Sequence, residues 1–180
     1  DIPTLLGKDE PQDILILLQN PHELRPTGGF IGTYGRMTID RGSVTQFYTD
    51  DIYRVDAKLV GREKDIAPEP LHYFANLKYW YVRDANWSPD FPTSARDILR
   101  LYEYATGEEG IDTVLAITPR IVQEFLTITG PITVDNITFT SENLVDAMQY
   151  RVEQEFWRIG ISQEDRKQVL YYEHDENEVR

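Results

Sequence analysis

Early in the chain the segment Asn20-Pro-His-Glu-Leu-Arg-Pro-Thr-Gly-Gly29 combines one arginine with two adjacent glycines. The Arg25 guanidinium is a planar fork suited to phosphate or carboxylate, and Gly28 and Gly29 let backbone N–H groups approach a ligand closely. The same residues also suit a plain Pro-Gly turn between strands, and no Gly-Lys-Ser/Thr follows to make a P-loop. A second segment, Arg83-Asp-Ala-Asn-Trp-Ser-Pro-Asp-Phe-Pro92, gathers Arg83, Asp84, Asn86, Trp87 and Asp90 just before a predicted helix start, a place that favours anions. Its alternative is a capping loop in which Asp90 or Thr93 caps the helix while Trp87 and Phe91 fill the core. Asp50-Asp51 adds hard carboxylate oxygens of the kind that hold Mg²⁺ beside substrate phosphates, or simply a solvated turn.

Other chemistries lack their residues. His22, His72 and His174 are far apart and without zinc-protease spacing, no serine sits in G-x-S-x-G, and there is no cysteine to serve as nucleophile, thiolate ligand or disulfide. Lys and Arg number 18 against 31 Asp and Glu, for a net charge of -13, which on average repels nucleic acids and anionic lipid surfaces. Apolar residues make up 41% of the chain, a globular composition, and 180 residues suit one domain with one sizeable core. The longest apolar run, Ile14 to Leu18, is far short of the roughly 20 residues that cross a bilayer. Without an initiator Met or a signal-peptide pattern, the chain reads as a fragment of a longer protein, with any export signal or anchor outside it.

The elements that must position these loops follow from periodicity. Asp13–Leu18 predicts a strand buried on both faces; Phe30 to Ile39 and Val44 to Tyr48 form a hairpin about Asp40-Arg41-Gly42. Residues 50–70 are a polar excursion with at most a short helix. Ala95, Ile98, Tyr102 and Ala105 mark a helix from Pro92 that stops at Gly107. Ile111–Ile117 is a strand, and Thr118-Pro119 starts a helix with Ile121, Val122, Phe125 and Leu126 on one face, ended by Gly130-Pro131. Strands Ile132–Val134 and Ile137–Phe139 come next, then a helix capped by Thr140-Ser141 with Leu144, Val145, Met148, Val152 and Phe156 aligned, and a last helix after Ser162. That order predicts an α/β domain with a mixed sheet covered by helices.

The stretches QNPHELRPTGGFIGTYG (Gln19–Gly35), RDANWSPDFPTSA (Arg83–Ala95) and IDTVLAITPRIVQEFLTITGPITV (Ile111–Val134) resemble the bacterial domain-of-unknown-function family four-zero-one-two, over nearly the whole chain. That family is in turn similar to the LytR-CpsA-Psr domain, an extracytoplasmic three-layer α/β/α sandwich that transfers polyprenyl-pyrophosphate-linked glycans to the cell wall. Against the LytR-like pattern, Arg25 keeps the arginine of an Arg-x-Asp while Thr27 replaces its aspartate. Asp50-Asp51 keeps a carboxylate of a later Pro-Arg-Asp without its arginine, for which Arg83 could substitute. Arg151 matches the arginine ending a helix, and Arg166 matches an arginine-glutamine segment that faces the pyrophosphate.

The resemblance therefore implies an envelope protein, membrane-anchored in its full length, in which Arg25, Arg83, Arg151 and Arg166 meet a pyrophosphate. Asp51, Asp84 or Asp90 would hold Mg²⁺ for phosphoryl transfer, with Thr27, Gly28, Gly29 and Asn86 lining the substrate site. A different class of function is open beside it: a non-catalytic module binding glycan or anion, with Trp80, Tyr81 or Trp87 stacking on a sugar, or a structural interaction domain. Oligomeric state is not legible in the residues.

Overall fold

The computed structural model describes residues 2–134 and 136–147. Its centre is a four-stranded mixed sheet in the order β3-β2-β1-β4, built from β1 (Gln12–Asn20), β2 (Phe30–Asp40), β3 (Ser43–Asp51) and β4 (Thr113–Ile117). β1 is antiparallel to β2 and parallel to β4, so it is hydrogen-bonded on both sides. That position explains its unbroken apolar run, because side chains on both faces of a central strand are covered. The β2–β3 hairpin turns at Arg41 and Gly42, both at positive φ (48° and 77°), the backbone that matches the twist of a tight hairpin.

Alternation sorts the sheet into two apolar faces. Leu15, Leu17 and Tyr34 join the main core, where they meet Ile52, Val55, Val82, Ile98, Leu101 and Tyr102. Ile14, Ile16 and Ile39 gather on the opposite face with Met37 and Ile117. The main face is packed by α2 (Ile52–Ala57) and α4 (Phe91–Thr106), with a 3₁₀ turn at Val82–Asp84 between them in sequence. α4 buries Ser94, Ile98, Leu101, Tyr102 and Ala105, a stripe at helical spacing. Asp90 caps its start by accepting the Thr93 N–H, and Gly107 ends it in the left-handed conformation (φ 74°), as predicted.

Residues 50–70, expected to hold at most one short helix, contain α2 and the start of α3 (Glu69–Ala75). A further short helix, α1 (Ile2–Leu5), lies ahead of β1. The described chain divides at 121/122 into two compact units. In the second, α5 (Pro119–Thr129) contributes Val122 and Leu126 to a small core with Phe139 and Leu144. The expected apolar face of α5 splits, since Ile121 and Phe125 stay exposed. Strands β5 (Ile132–Val134) and β6 (Ile137–Phe139) form where expected and, among the described residues, pair with each other as a two-stranded sheet. Thr140 Oγ1 accepts the N–H groups of Glu142 and Asn143, the predicted cap, and residues 144–147 begin the helix. Its continuation through Val152 and Phe156, and the helix after Ser162, lie outside the described residues. No helix among the described residues is long and apolar enough to cross a membrane.

Candidate functional site

Two loops about sixty residues apart in sequence meet at the carboxyl end of β1. Gln19, buried near the end of that strand, donates from Nε2 to Thr27 Oγ1 at 2.6 Å. Asn86, fully buried, donates from Nδ2 to the same Thr27 hydroxyl at 2.9 Å and to the Gly29 carbonyl at 2.8 Å. One amide therefore staples the 25–29 loop to the segment before α4. The Asn86 Oδ1 is buried without a protein hydrogen-bond partner.

Glycine is required at position 29 by close approach. A Cβ there would lie 2.3 Å from the Asn20 carbonyl oxygen. The Gly28 N–H donates to the Arg25 carbonyl at 3.0 Å, so it closes the turn instead of pointing at a ligand, contrary to a cradle of free N–H groups.

Beside this staple runs a line of alternating charges. Arg25 Nη2 lies 3.4 Å from Asp84 Oδ1, Asp84 Oδ2 lies 3.3 Å from Arg83 Nε, and Arg83 Nη1 donates to Asp56 Oδ2 at 3.1 Å. Asp56 Oδ1 in turn accepts the Val82 N–H at 2.9 Å. Arg83 is sandwiched over the rings of Tyr81 and Tyr53, at 4.5 and 5.1 Å, and Arg25 lies 5.3 Å from the centre of the Phe30 ring. Arg83, Asp84 and Asp56 are buried, whereas Arg25 keeps 31% of its side chain exposed. The line thus runs from the interior to one accessible cation.

Burial pushes the Asp56 carboxyl up to about 7, against the opposing pull of Arg83 and the Val82 N–H. Near neutral pH Asp56 therefore holds its proton part of the time, and the accessible end of the line is Arg25. Burial raises the Tyr53 hydroxyl as well, so it stays a neutral donor next to Arg83.

The profile of the family described as a protein of unknown function, DUF4012, matches residues 9–152. The chain belongs to that family. No curated protein and no solved structure matches it. The DUF4012 match takes in all of Gln19, Arg25, Thr27, Gly29, Asp56, Arg83, Asp84 and Asn86.

Of the residues singled out from this DUF4012 sequence, Arg25, Thr27, Gly28, Gly29, Arg83, Asp84 and Asn86 come together. Asp51 and Asp90 serve two different helices: Asp51 Oδ1 accepts the Tyr53 N–H at the start of α2, and Asp90 Oδ2 accepts the Thr93 N–H at the start of α4. Capping hydrogen bonds hold Asp90 below the usual carboxylate range. Among the described residues no group of three or more His, Asp or Glu stands together to hold a metal ion. Trp80 and Tyr81 are core residues, and Trp87 packs partly buried against the same core. Arg151 and Arg166 lie outside the described residues.

Asp56 was not among the sequence candidates. The signal was present: Ile52, Val55 and Leu59 recur at helical spacing and are all buried, and Asp56 falls on their stripe. A lone acid inside an apolar helical face calls for a buried cation, here Arg83.

Proposed function

We propose that this domain binds the pyrophosphate of a polyprenyl-linked glycan at the bacterial cell envelope, with Arg25 as the cation that meets it. The observation that carries the reading is the convergence of the Arg25–Gly29 loop, whose arginine matches the LytR-like pattern, with Arg83, Asp84 and Asn86. In that kinship the mixed sheet and its helices belong to a three-layer α/β/α sandwich, and the domain is held outside the cytoplasm by an anchor elsewhere in the full protein.

The site is arranged for binding more than for turnover. Arg83 is held by two carboxylates and lies over two aromatic rings, and moving it onto a substrate would leave Asp56 buried without its cation and Asp84 with Arg25 alone. Its service is to position Asp84, which orients Arg25. Mg²⁺ in this reading arrives with the pyrophosphate oxygens, whose charge it shares with Arg25.

Calorimetric titration of the chain with a soluble short-chain prenyl pyrophosphate, with and without Mg²⁺, tests the reading. Arg25→Ala should weaken binding by roughly tenfold or more, as expected for loss of a charge-assisted contact. No heat with the parent chain, or equal affinity in the variant, would sink it. Mg²⁺-dependent release of the prenyl phosphate from a lipid-linked glycan would replace binding by transfer.

A further inference from the structure

The main face of the sheet carries apolar side chains through Leu15, Leu17 and Tyr34, then turns polar toward the amino end of β1. Two neighbouring cross-strand rows make the change. Asp13, Thr38 and Gln46 are register partners across β1, β2 and β3, and Leu15, Arg36 and Tyr48 form the next row. Partners in register point to the same face, so Asp13, Thr38, Gln46, Arg36 and Tyr48 all project on the side where α4 packs. α4 ends at Thr106, and after the Gly107 cap Glu108 reaches back to accept from Arg36 Nη1 at 2.8 Å and from the Tyr102 hydroxyl at 2.9 Å. These six residues line a cleft of about 330 Å³. That size is at the lower end of the roughly 300–1,000 Å³ of small-molecule sites.

The cleft's chemistry differs from that around Arg25. Asp13 and Glu108 outnumber Arg36, so the formal charge is -1 and a phosphate is repelled. A cationic amine would meet a Glu108 already bonded to Arg36 and the Tyr102 hydroxyl, while Asp13 Oδ1 accepts the Thr38 hydroxyl at 2.5 Å, which leaves Asp13 Oδ2 and the Gln46 amide as the acceptors facing a ligand. What the lining offers is a mixture of acceptors and donors: carboxylate oxygens, a guanidinium, and the Gln46 amide, which supplies both. Tyr48 adds an aromatic surface that is 45% exposed, while its ring is held edge-on to Tyr34 at a centroid distance of 6.4 Å. A held ring beside planar polar side chains suits a flat, uncharged, hydroxyl-rich ligand.

We propose that this cleft is a second ligand site, taking an uncharged sugar unit, with Tyr48 as the stacking surface and Gln46, Arg36 and Asp13 as its hydrogen-bonding rim. It is separate from the Arg25 site: Asp13 and Gln19 are six residues apart along β1, about 20 Å at the rise of a strand. The inference does not rest on the pyrophosphate reading and survives its failure.

Saturation-transfer NMR with a panel of neutral sugars (glucose, galactose, N-acetylglucosamine and maltotriose) tests it on the parent chain and on Tyr48→Ala, Gln46→Ala and Arg25→Ala. Tyr48 and Gln46 are exposed, so both substitutions leave the core intact, and thermal melts confirm folding. The expected result is transfer to at least one sugar, weakened roughly tenfold by Tyr48→Ala and less by Gln46→Ala, and unchanged by Arg25→Ala. Absence of transfer to every sugar in the panel overturns the proposal. So does binding that Tyr48→Ala and Gln46→Ala leave intact, or displacement of the sugar by putrescine at equal concentration.

Discussion

Asp56 Oδ2 lies 3.1 Å from Arg83 Nη1, in a pair whose side chains are 3% and 9% exposed, yet the carboxyl binds its proton more tightly than a free aspartate does. Burial acts on the charged form of Asp56 from all sides, while Arg83 is shared with Asp84 and its attraction covers only part of the cost. The pair therefore positions Arg83 at the expense of stability near neutral pH.

A pH dependence follows. An aspartate whose folded-state value is about 7 and whose unfolded value is about 4 holds its proton more firmly in the folded chain across that interval. Its contribution to stability is fully present below about 4 and is lost as pH rises to about 7, with a slope of at most ~1.4 kcal/mol per pH unit for one proton. Calorimetric melts between pH 5 and 8 should show this slope in the parent chain and a flatter one in Asp56→Asn. Identical slopes would mean that Asp56 is ionised throughout.

Asn86→Ala removes both hydrogen bonds that tie the 25–29 loop and leaves the Gly29 carbonyl unpaired in a buried place. A loss of about 2 kcal/mol in urea melts is expected, together with faster amide exchange in residues 25–30. An unchanged exchange pattern would show that the loop holds its shape without the staple.

Gly29→Ala places a Cβ 2.3 Å from a backbone oxygen of Asn20, where neither partner is a flexible side-chain end. The expected loss of stability is at least ~2 kcal/mol. Gly42→Ala, whose Cβ meets nothing within 4 Å, should cost less, through its φ of 77° alone, whereas Gly29, at φ 156°, combines backbone strain with close approach.

Asp51→Ala should cost about 1 kcal/mol through loss of the α2 cap, and Asp51→Asn should restore most of it, because the amide oxygen can accept the same Tyr53 N–H. Binding of prenyl pyrophosphate by Asp51→Asn is expected to match the parent chain. A loss seen only when Mg²⁺ is present would instead make Asp51 a cation ligand.

Local pattern alone determined a good deal of this protein. The buried run of β1, the tight turn at Arg41-Gly42, the α4 stripe with its Asp90 and Gly107 ends, and the Thr140 cap all depend on residues within a few positions of one another, and each stands where its spacing places it. The loops around Arg25 and Arg83 were also legible as candidates from their arginines, although their glycines, prolines and asparagine equally suit plain turns. Tertiary structure decided which of those residues share a site. Asn86 reaches Thr27 across 59 positions and Arg83 reaches Asp56 across 27, separations over which no periodicity carries information. It also decided that Asp51 and Asp90 cap separate helices, that β5 and β6 pair with each other as a two-stranded sheet, and that six polar residues from β1, β2, β3 and just past the end of α4 line one cleft. Register across three strands and the length of one helix set that cleft, and both are properties of the packed chain, since a side chain's face is local but its neighbours across the sheet are not.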